Sequence, residues 1–258
     1  MNGPVELIGA VAAGLLVLVA VGVSWWAGLR LERDLLIAAV RAAAQLALLG
    51  LVLVAILTPG QPLALSWLWV AVMIVFAGWT VHRRVPHVPW LMLLSMGAFA
   101  ASAAVTLGVL FGAGVFPVDS TTLVPLAGLM IGNSMTATVL VARRITAELK
   151  DKRMEVEARL ALGQPSAEAA RPYLREALRT ALIPQIETTK AVGIVFLPGM
   201  MVGLLLAGVT PLDAVQAQLV IMYLVLGSVA VTTSVIALGM RRILFNSAHQ
   251  LRLPPESG

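Results

Sequence analysis

Seven apolar runs dominate the chain, roughly Val5–Leu29, Leu35–Leu57, Leu63–Val81, Trp90–Phe111, Leu123–Val141, Ala191–Leu206 and Ala214–Leu238. Most approach the ~20 residues that a helix needs to cross ~30 Å of hydrocarbon. A buried helix of a soluble protein rarely reaches that length without a charge. Across the 258 residues only 12% are charged and 59% are hydrophobic, against roughly 25% charged in a soluble domain. Mean hydropathy is +0.93. The expected fold class is therefore all-α: a polytopic membrane protein of about seven transmembrane helices. Residues 1–258 are expected to form one transmembrane domain. Trp25, Trp26, Trp67, Trp69 and Trp90 fall near the ends of the runs, where interfacial aromatics belong.

Lys and Arg set an orientation. Arg30 and Arg33 follow the first run, Arg83 and Arg84 the third, and Arg241, Arg242 and Arg252 the seventh. Ten basic residues lie between Arg143 and Lys190, after the fifth. The alternate connections, Thr58–Pro62, Gly112–Thr122 and Ala207–Asp213, carry no Lys or Arg. By the positive-inside rule the N-terminus lies outside and the C-terminus in the cytoplasm. The same placement explains the pI of about 10.4 without a nucleic-acid partner. No cleavable signal peptide is expected, because the first run lacks a basic flank before it and more spans follow. Arg41 is the one basic residue within a run. Snorkelling to the interface and lining a polar path are both open to it.

Several chemistries are excluded. With no cysteine there is neither a thiolate metal site nor a cysteine nucleophile. The three histidines, His82, His87 and His249, fall in expected loops or the tail without metal-ligand spacing. No Gly-x-x-x-x-Gly-Lys-[Ser/Thr] phosphate loop occurs, and the last run has no lysine for a Schiff base. No internal repeat marks an inverted-repeat carrier. Nothing supports an enzyme, and no cofactor is expected on the chain itself.

Small residues recur at four-residue spacing: Ala100, Ala104, Gly108 and Gly112, then Gly128 and Gly132, then Gly199 and Gly203. These ridges are expected to let helix backbones approach closely.

Residues 142–190 are the one long polar stretch and are expected to form a cytoplasmic helical elbow. Nothing between Ser134 and Leu162 breaks a helix, so the fifth span is expected to run on as one long helix. Ile145, Leu149, Val156 and Leu160 share one face of it. Gly163-Gln164-Pro165-Ser166 stops that helix. Ser166 is the expected N-cap of a second helix reaching about Leu182, kinked at Pro172 and closed by Pro184.

Glu157-Ala158-Arg159-Leu160-Ala161-Leu162-Gly163 resembles the EAA loop of ABC-transporter permeases, with Leu182-Ile183-Pro184 resembling its closing element. In that reading Glu157, Ala158, Leu160, Leu162 and Gly163 couple the membrane helices to a separate ATPase. Leu160 and Leu162 would fill its groove and Gly163 would make the turn. Further on, Ile131-Gly132-Asn133-Ser134-Met135, Val192-Gly193-Ile194-Val195-Phe196-Leu197-Pro198-Gly199-Met200-Met201 and Leu206-Ala207-Gly208-Val209 together resemble the FetB-type (YbbM-like) permease family. Its bacterial member is an iron-export ABC permease, and its plant relatives are linked to aluminium tolerance.

The resemblance implies a permease homodimer in the cell inner (plasma) membrane, bound to ATP-binding cassette subunits that carry the ATP and Mg. It implies export, with iron or another metal cation as cargo. The alternative is a stand-alone secondary transporter or channel. That reading needs coupling carboxylates within the spans, and the runs place none in mid-membrane. The chain departs from the family at Glu187-Thr188-Thr189 and at Val202-Gly203.

Polar groups within the spans supply candidates for a cation path. Asn133, Ser134, Thr136 and Thr138 lie mid-span; hydrogen bonding between helices and oxygen ligation both suit them. Glu187, expected at the cytoplasmic edge, either meets an entering cation or pairs with Lys190. Met200 and Met201 join Met130 and Met135 as soft groups that also simply pack. Pro198-Gly199 is the expected hinge or break in the sixth span. No metal-ligand set can be read from the sequence.

Overall fold

The computed structural model describes residues 4–58, 60–194, 197–246 and 248–252. Among these, helices account for nearly all the ordered backbone: α1 (Pro4–Trp26), α2 (Glu32–Leu57), α3 (Leu63–Arg84), α4 (Leu91–Gly112), α5 (Ser120–Asp151), α6 (Arg153–Ala161), α7 (Ser166–Ala191), α8 (Gly199–Leu206) and α9 (Pro211–Leu244). They fall into two compact units, Met1–Gln61 and Pro62–Gly258.

In the first unit α1 and α2 pack together. Their turn is tied by Ser24, whose hydroxyl donates to Glu32 Oε1 at 3.0 Å and accepts from the Leu31 N–H at 3.1 Å. Arg41 lies exposed on α2.

In the second unit α5 packs on α3, α7 and α9, and α4 on α3 and α9. Phe99, Leu107, Leu123, Met130, Ile145, Leu149, Ile236 and Met240 fill the core. Ser66 donates to Ser120 Oγ at 2.7 Å at one end of the bundle, joining α3 to α5. At the other end Arg143 Nη2 donates to the Arg84 carbonyl at 2.9 Å. Arg83, Arg84, Arg143, Arg144, Arg241 and Arg242 therefore gather at one end, as the alternation of basic connections requires. Asp119 caps α5 at the opposite end, accepting from the Thr122 N–H at 2.9 Å.

Among the described residues five helices are long and apolar enough to cross a membrane: α2, α3, α4, α5 and α9. The described side chains of α1 add a shorter apolar stretch, Gly14–Trp26. The sixth run differs from expectation. It is not one helix: α7 ends at Ala191, the first residue of the run, and α8 begins at Gly199. Gly193 has φ +86°, a conformation that a helix cannot contain and that L side chains avoid. Val195 and Phe196, part of the motif noted above, lie outside the described residues.

The ridges of small residues also differ. A Cβ on Gly108, Gly112, Gly128, Gly132, Gly199 or Gly203 would meet nothing within 4 Å, because these positions face outward. The close approaches occur elsewhere. A Cβ on Gly78 would stand 2.6 Å from Met96 Cγ and 3.2 Å from the Met92 carbonyl, and one on Gly239 would collide with the Leu94 side chain. His82 belongs to the last turn of α3 rather than to a loop.

Candidate functional site

The basic end of the second unit carries the elbow. α5 is 32 residues long, about 48 Å at 1.5 Å per residue, so it runs well past the hydrocarbon. It does not continue to Leu162. The helix breaks at Lys152, with φ −102° and ψ 20°, and restarts as α6. Packing gives the reason: the break lets Val156 sink into the same core as Ile145 and Leu149, all fully buried, while Leu160 packs on its edge. The four residues share a face as their spacing requires, but across a bend.

Charge pins the bend. Lys152 Nζ lies 3.0 Å from Glu155 Oε1, and Tyr173 Oη of α7 donates to Glu155 Oε2 at 3.1 Å. The hydrogen bond from Lys152, then that from Tyr173, holds the Glu155 carboxyl below the usual glutamate range. The same partner pushes the Lys152 ammonium up. Burial, then the bond to Glu155, pushes the Tyr173 phenol up.

α6 closes in a Schellman motif. Gln164 N–H donates to the Arg159 carbonyl at 3.1 Å and Gly163 N–H to the Leu160 carbonyl at 3.0 Å, with Gly163 at φ +86° as this motif demands. Pro165, not Ser166, takes the N-cap position of α7. Ser166 is the first helical residue, and its hydroxyl meets His249 Nδ1 at 3.0 Å instead.

Of the coupling residues, Glu157 is partly buried and bonded to Arg153, Nε to Oε1 at 2.6 Å. Ala158 and Gly163 are exposed. Leu162 is 83% exposed and Met154 80% exposed, while Leu160 is partly buried against the core. The elbow thus presents Met154, Ala158 and Leu162, and sequence reasoning missed Met154. Its signal was an apolar residue four before Ala158, on the face opposite Val156.

α7 does not close at Pro184. It runs unbroken through Pro172 and Pro184 to Ala191. Ala169, Ala170, Tyr173, Leu174, Ala177 and Ala181 bury one stripe of it against α5 and α9, and this packing outweighs the two missing hydrogen bonds. Its course changes the place of Glu187. Leu182 packs on Ala137, Val225 and Val229. Ala137 lies six residues inward from Arg143 along α5, about 9 Å. Glu187 lies five residues beyond Leu182, at most about 7.5 Å further. It therefore lies further along the bundle from Arg143 than Leu182 does. It is exposed there and paired with Lys190, Nζ to Oε1 at 2.9 Å.

The polar groups of α5 divide. Asn133 and Thr136 lie on its exposed face, with Asn133 Nδ2 donating to the Leu129 carbonyl at 2.7 Å. Ser134 is fully buried and donates to Ser228 Oγ of α9 at 3.3 Å. Ser102 of α4 donates to the Ser228 carbonyl at 3.1 Å, and Thr106 to the Ser102 carbonyl at 2.7 Å, with Met130 Sδ 3.0 Å away. This seam joins three helices and buries Ser134 and Met130. Thr138 is buried with its hydroxyl unpartnered.

Pro198 takes the N-cap position of α8 and Gly199 begins it. Met200 is exposed and Met201 partly buried. Among the described residues no three or more of His, Asp and Glu gather into a metal-holding group.

A family model described as an uncharacterised protein family, UPF0014, matches residues 7–245. The chain belongs to this family. It is 35% identical over 231 residues to the UPF0014 membrane protein STAR2 of Oryza sativa subsp. japonica, covering 89% of this chain and 80% of that one. It is 31% identical over 237 residues to the "probable iron export permease protein FetB" of Escherichia coli, covering 92% and 91%. It is also 31% identical over 243 residues to the protein ALUMINUM SENSITIVE 3 of Arabidopsis thaliana, covering 93% and 88%. No solved structure matches the chain. As a UPF0014 member with five spanning helices among its described residues, it is a polytopic membrane protein. In this member Asn133, Thr136, Glu187, Thr188 and Lys190 are exposed. α6 precedes α7, and α7 ends at Ala191 with Val192 in an extended conformation.

Proposed function

We propose that the chain is the permease subunit of an ATP-driven exporter of a metal cation in the cell inner (plasma) membrane, working as a homodimer. A separate ATP-binding cassette subunit, carrying ATP and Mg, docks on α6. The observation that carries this reading is the continuity of α7. One helix starts at the elbow, beside the exposed Met154 and Leu162, and ends after Glu187 at the break before Pro198. A push on α6 is passed along this helix to the charged pair of Glu187 and Lys190, and Pro198 and Gly199 act as the hinge that absorbs it.

Glu187 and Asn133 offer oxygen to a hard cation. An exposed carboxylate and amide in hydrocarbon are costly, so a second copy covers these faces. The outward-facing Gly128 and Gly132 of α5 suit close helix contact there. Iron is the leading cargo because a relative covering almost the whole chain is named an iron export permease.

The test is co-expression with candidate ATP-binding subunits. Met154→Asp and Leu162→Asp should weaken assembly by at least about tenfold, as for a desolvated apolar anchor, and raise intracellular iron under iron load. Glu187→Gln should leave assembly intact while abolishing export. Equal assembly and coupled ATP turnover in all three variants would sink the reading.

A second reading is favoured by the place of Glu187, beyond Leu182 along the bundle from its basic end. A stand-alone secondary transporter needs a titratable group within the membrane, and Glu187 is the candidate. Export that persists in cells lacking every candidate ATP-binding subunit, and that is lost in Glu187→Gln, would select it.

A further inference from the structure

Between the start of α7 and the end of α9 lies a groove of about 470 Å³ that neither the elbow nor the Glu187–Lys190 pair uses. Arg171 and Arg175 line it from α7 and Arg241 from α9, with Glu168 the one carboxylate among its lining residues. Arg171 and Arg175 stand four apart on one helix, a spacing at which like charges repel. Among the described residues none of the three guanidiniums forms an ion pair or a hydrogen bond. The second recess, beside the first, again contains Arg171 and Arg175 and adds Arg159, whose guanidinium lies over the Tyr173 ring at 6.0 Å. Three unpartnered cations facing one carboxylate leave the groove with an excess of positive charge.

Below these charges the lining is apolar. Leu174 and Leu178 of α7 and Ala237 and Leu238 of α9 form it. Leu238 is 58% exposed, on a helix that crosses the membrane, and it precedes Arg241 by three residues, on the same face. The groove therefore descends from cations at the cytoplasmic surface to leucines at the edge of the hydrocarbon. A soluble anion would use only its upper half. A phospholipid uses both, with its phosphate among the arginines and the start of an acyl chain against Leu178 and Leu238.

We infer that this groove is a binding site for the phosphate headgroup of an anionic phospholipid, such as phosphatidylglycerol. Arginine forks the phosphate oxygens bidentately, and basic pockets between membrane helices on the cytoplasmic side suit anionic headgroups. The bound lipid neutralises the repulsion between Arg171 and Arg175 and fastens α7 to α9 above the elbow. The inference does not depend on the cargo or on an ATP-binding partner.

The test uses the full chain, purified in neutral detergent and equilibrated with a mixture of phosphatidylglycerol and phosphatidylcholine, with retained lipid counted by native mass spectrometry. Wild type should retain phosphatidylglycerol preferentially. Arg171→Gln/Arg175→Gln should weaken that retention by about 25-fold, from about fivefold per arginine. Arg171→Lys/Arg175→Lys should keep most of it. Arg33→Gln/Arg83→Gln removes equal charge elsewhere and should leave it unchanged. Millimolar inorganic phosphate should not displace the lipid. Arg241→Gln alone repeats the test should the double variant unfold, with an expected loss of about fivefold.

Three results overturn the inference. One is equal retention of the two lipids by wild type. Another is displacement by inorganic phosphate, which would make the groove a soluble-anion site. The third is unchanged lipid preference in the arginine variants together with lost assembly with an ATP-binding subunit, which would assign the arginines to a protein interface.

Discussion

The α4–α5–α9 seam and the α7–α8 limb both belong to the second unit, yet they treat polar groups in opposite ways. In the seam the buried hydroxyl residues are turned inward. Ser102, Thr106, Ser134, Ser228, Thr232 and Thr233 are buried, and most donate to backbone carbonyls or to one another. In the limb the charged residues are turned outward. Glu187, Lys190 and Thr188 are exposed, two prolines interrupt the hydrogen-bond ladder, and the helix stops at Ala191. Most of the seam's buried hydroxyls are satisfied within it, Thr138 being an exception. In the limb the exposed charge is paired along its own helix, Glu187 with Lys190. Asn133 is the point of contact between the two, a seam-helix residue that faces outward with the limb's groups.

That contrast can be broken most directly by cavity. Phe99, fully buried in the seam, should cost about 3–5 kcal/mol on truncation to Ala, read from reversible unfolding in detergent. Ile194, 92% exposed beside the limb's break, should cost less than about 0.5 kcal/mol. Similar losses at both sites would mean that the limb is packed after all.

Overpacking gives the next largest separation. Gly239→Leu drives a side chain into Leu94 and should cost about 1–3 kcal/mol. Gly203→Leu meets open space and should leave the isolated chain's stability unchanged. If a second copy covers that face, Gly203→Leu should weaken self-association measured by light scattering.

Smaller still is the pair on α5. Ser134→Ala removes one interhelical hydroxyl bond and should cost about 0.6 kcal/mol, a typical value inside a membrane bundle, with cation export retained. Asn133→Ala, one residue away, should do the reverse: little change in stability, but loss of export. Reversed outcomes would exchange the roles of the two faces.

The mildest effect concerns the bend that joins scaffold to limb. The Glu155 carboxyl is held below its ordinary value of 4.5 by Lys152 and Tyr173. A depressed carboxyl contributes above that ordinary value and loses its contribution as pH falls through the lower folded value. Lys152, raised above 10.5 by the same partner, contributes below that value and loses it at higher pH. The protection of α6 amides, corrected for the intrinsic pH dependence of exchange, should therefore be greatest between these limits and fall on acidification below the glutamate range, before that of the seam helices responds. Glu155→Gln should remove the acid limb of that profile.

Much of this was legible beforehand because it depends on local pattern. The crossing helices follow from runs of apolar residues, since backbone groups in hydrocarbon must be satisfied within the helix. The basic end follows from the alternation of Arg and Lys between connections. Gly163 followed by Pro165 marks the end of α6, because a Schellman turn needs a left-handed residue and a proline cannot continue the helix. The buried face of Ile145, Leu149, Val156 and Leu160 follows from helical spacing alone.

The rest was decided by contacts between residues distant in sequence. The bend at Lys152 exists because Val156 has a core to enter. Pro184 fails to end α7 because a stripe from Ala169 to Ala181 is already held by α5 and α9. Packing of Leu182 on Ala137 and Val229 carries Glu187 further along the bundle from its basic end. Local sequence determines which segments are helical and apolar; the position of a carboxylate, and which cations share a groove, depend on how far a packed helix is carried past its own breaking signals.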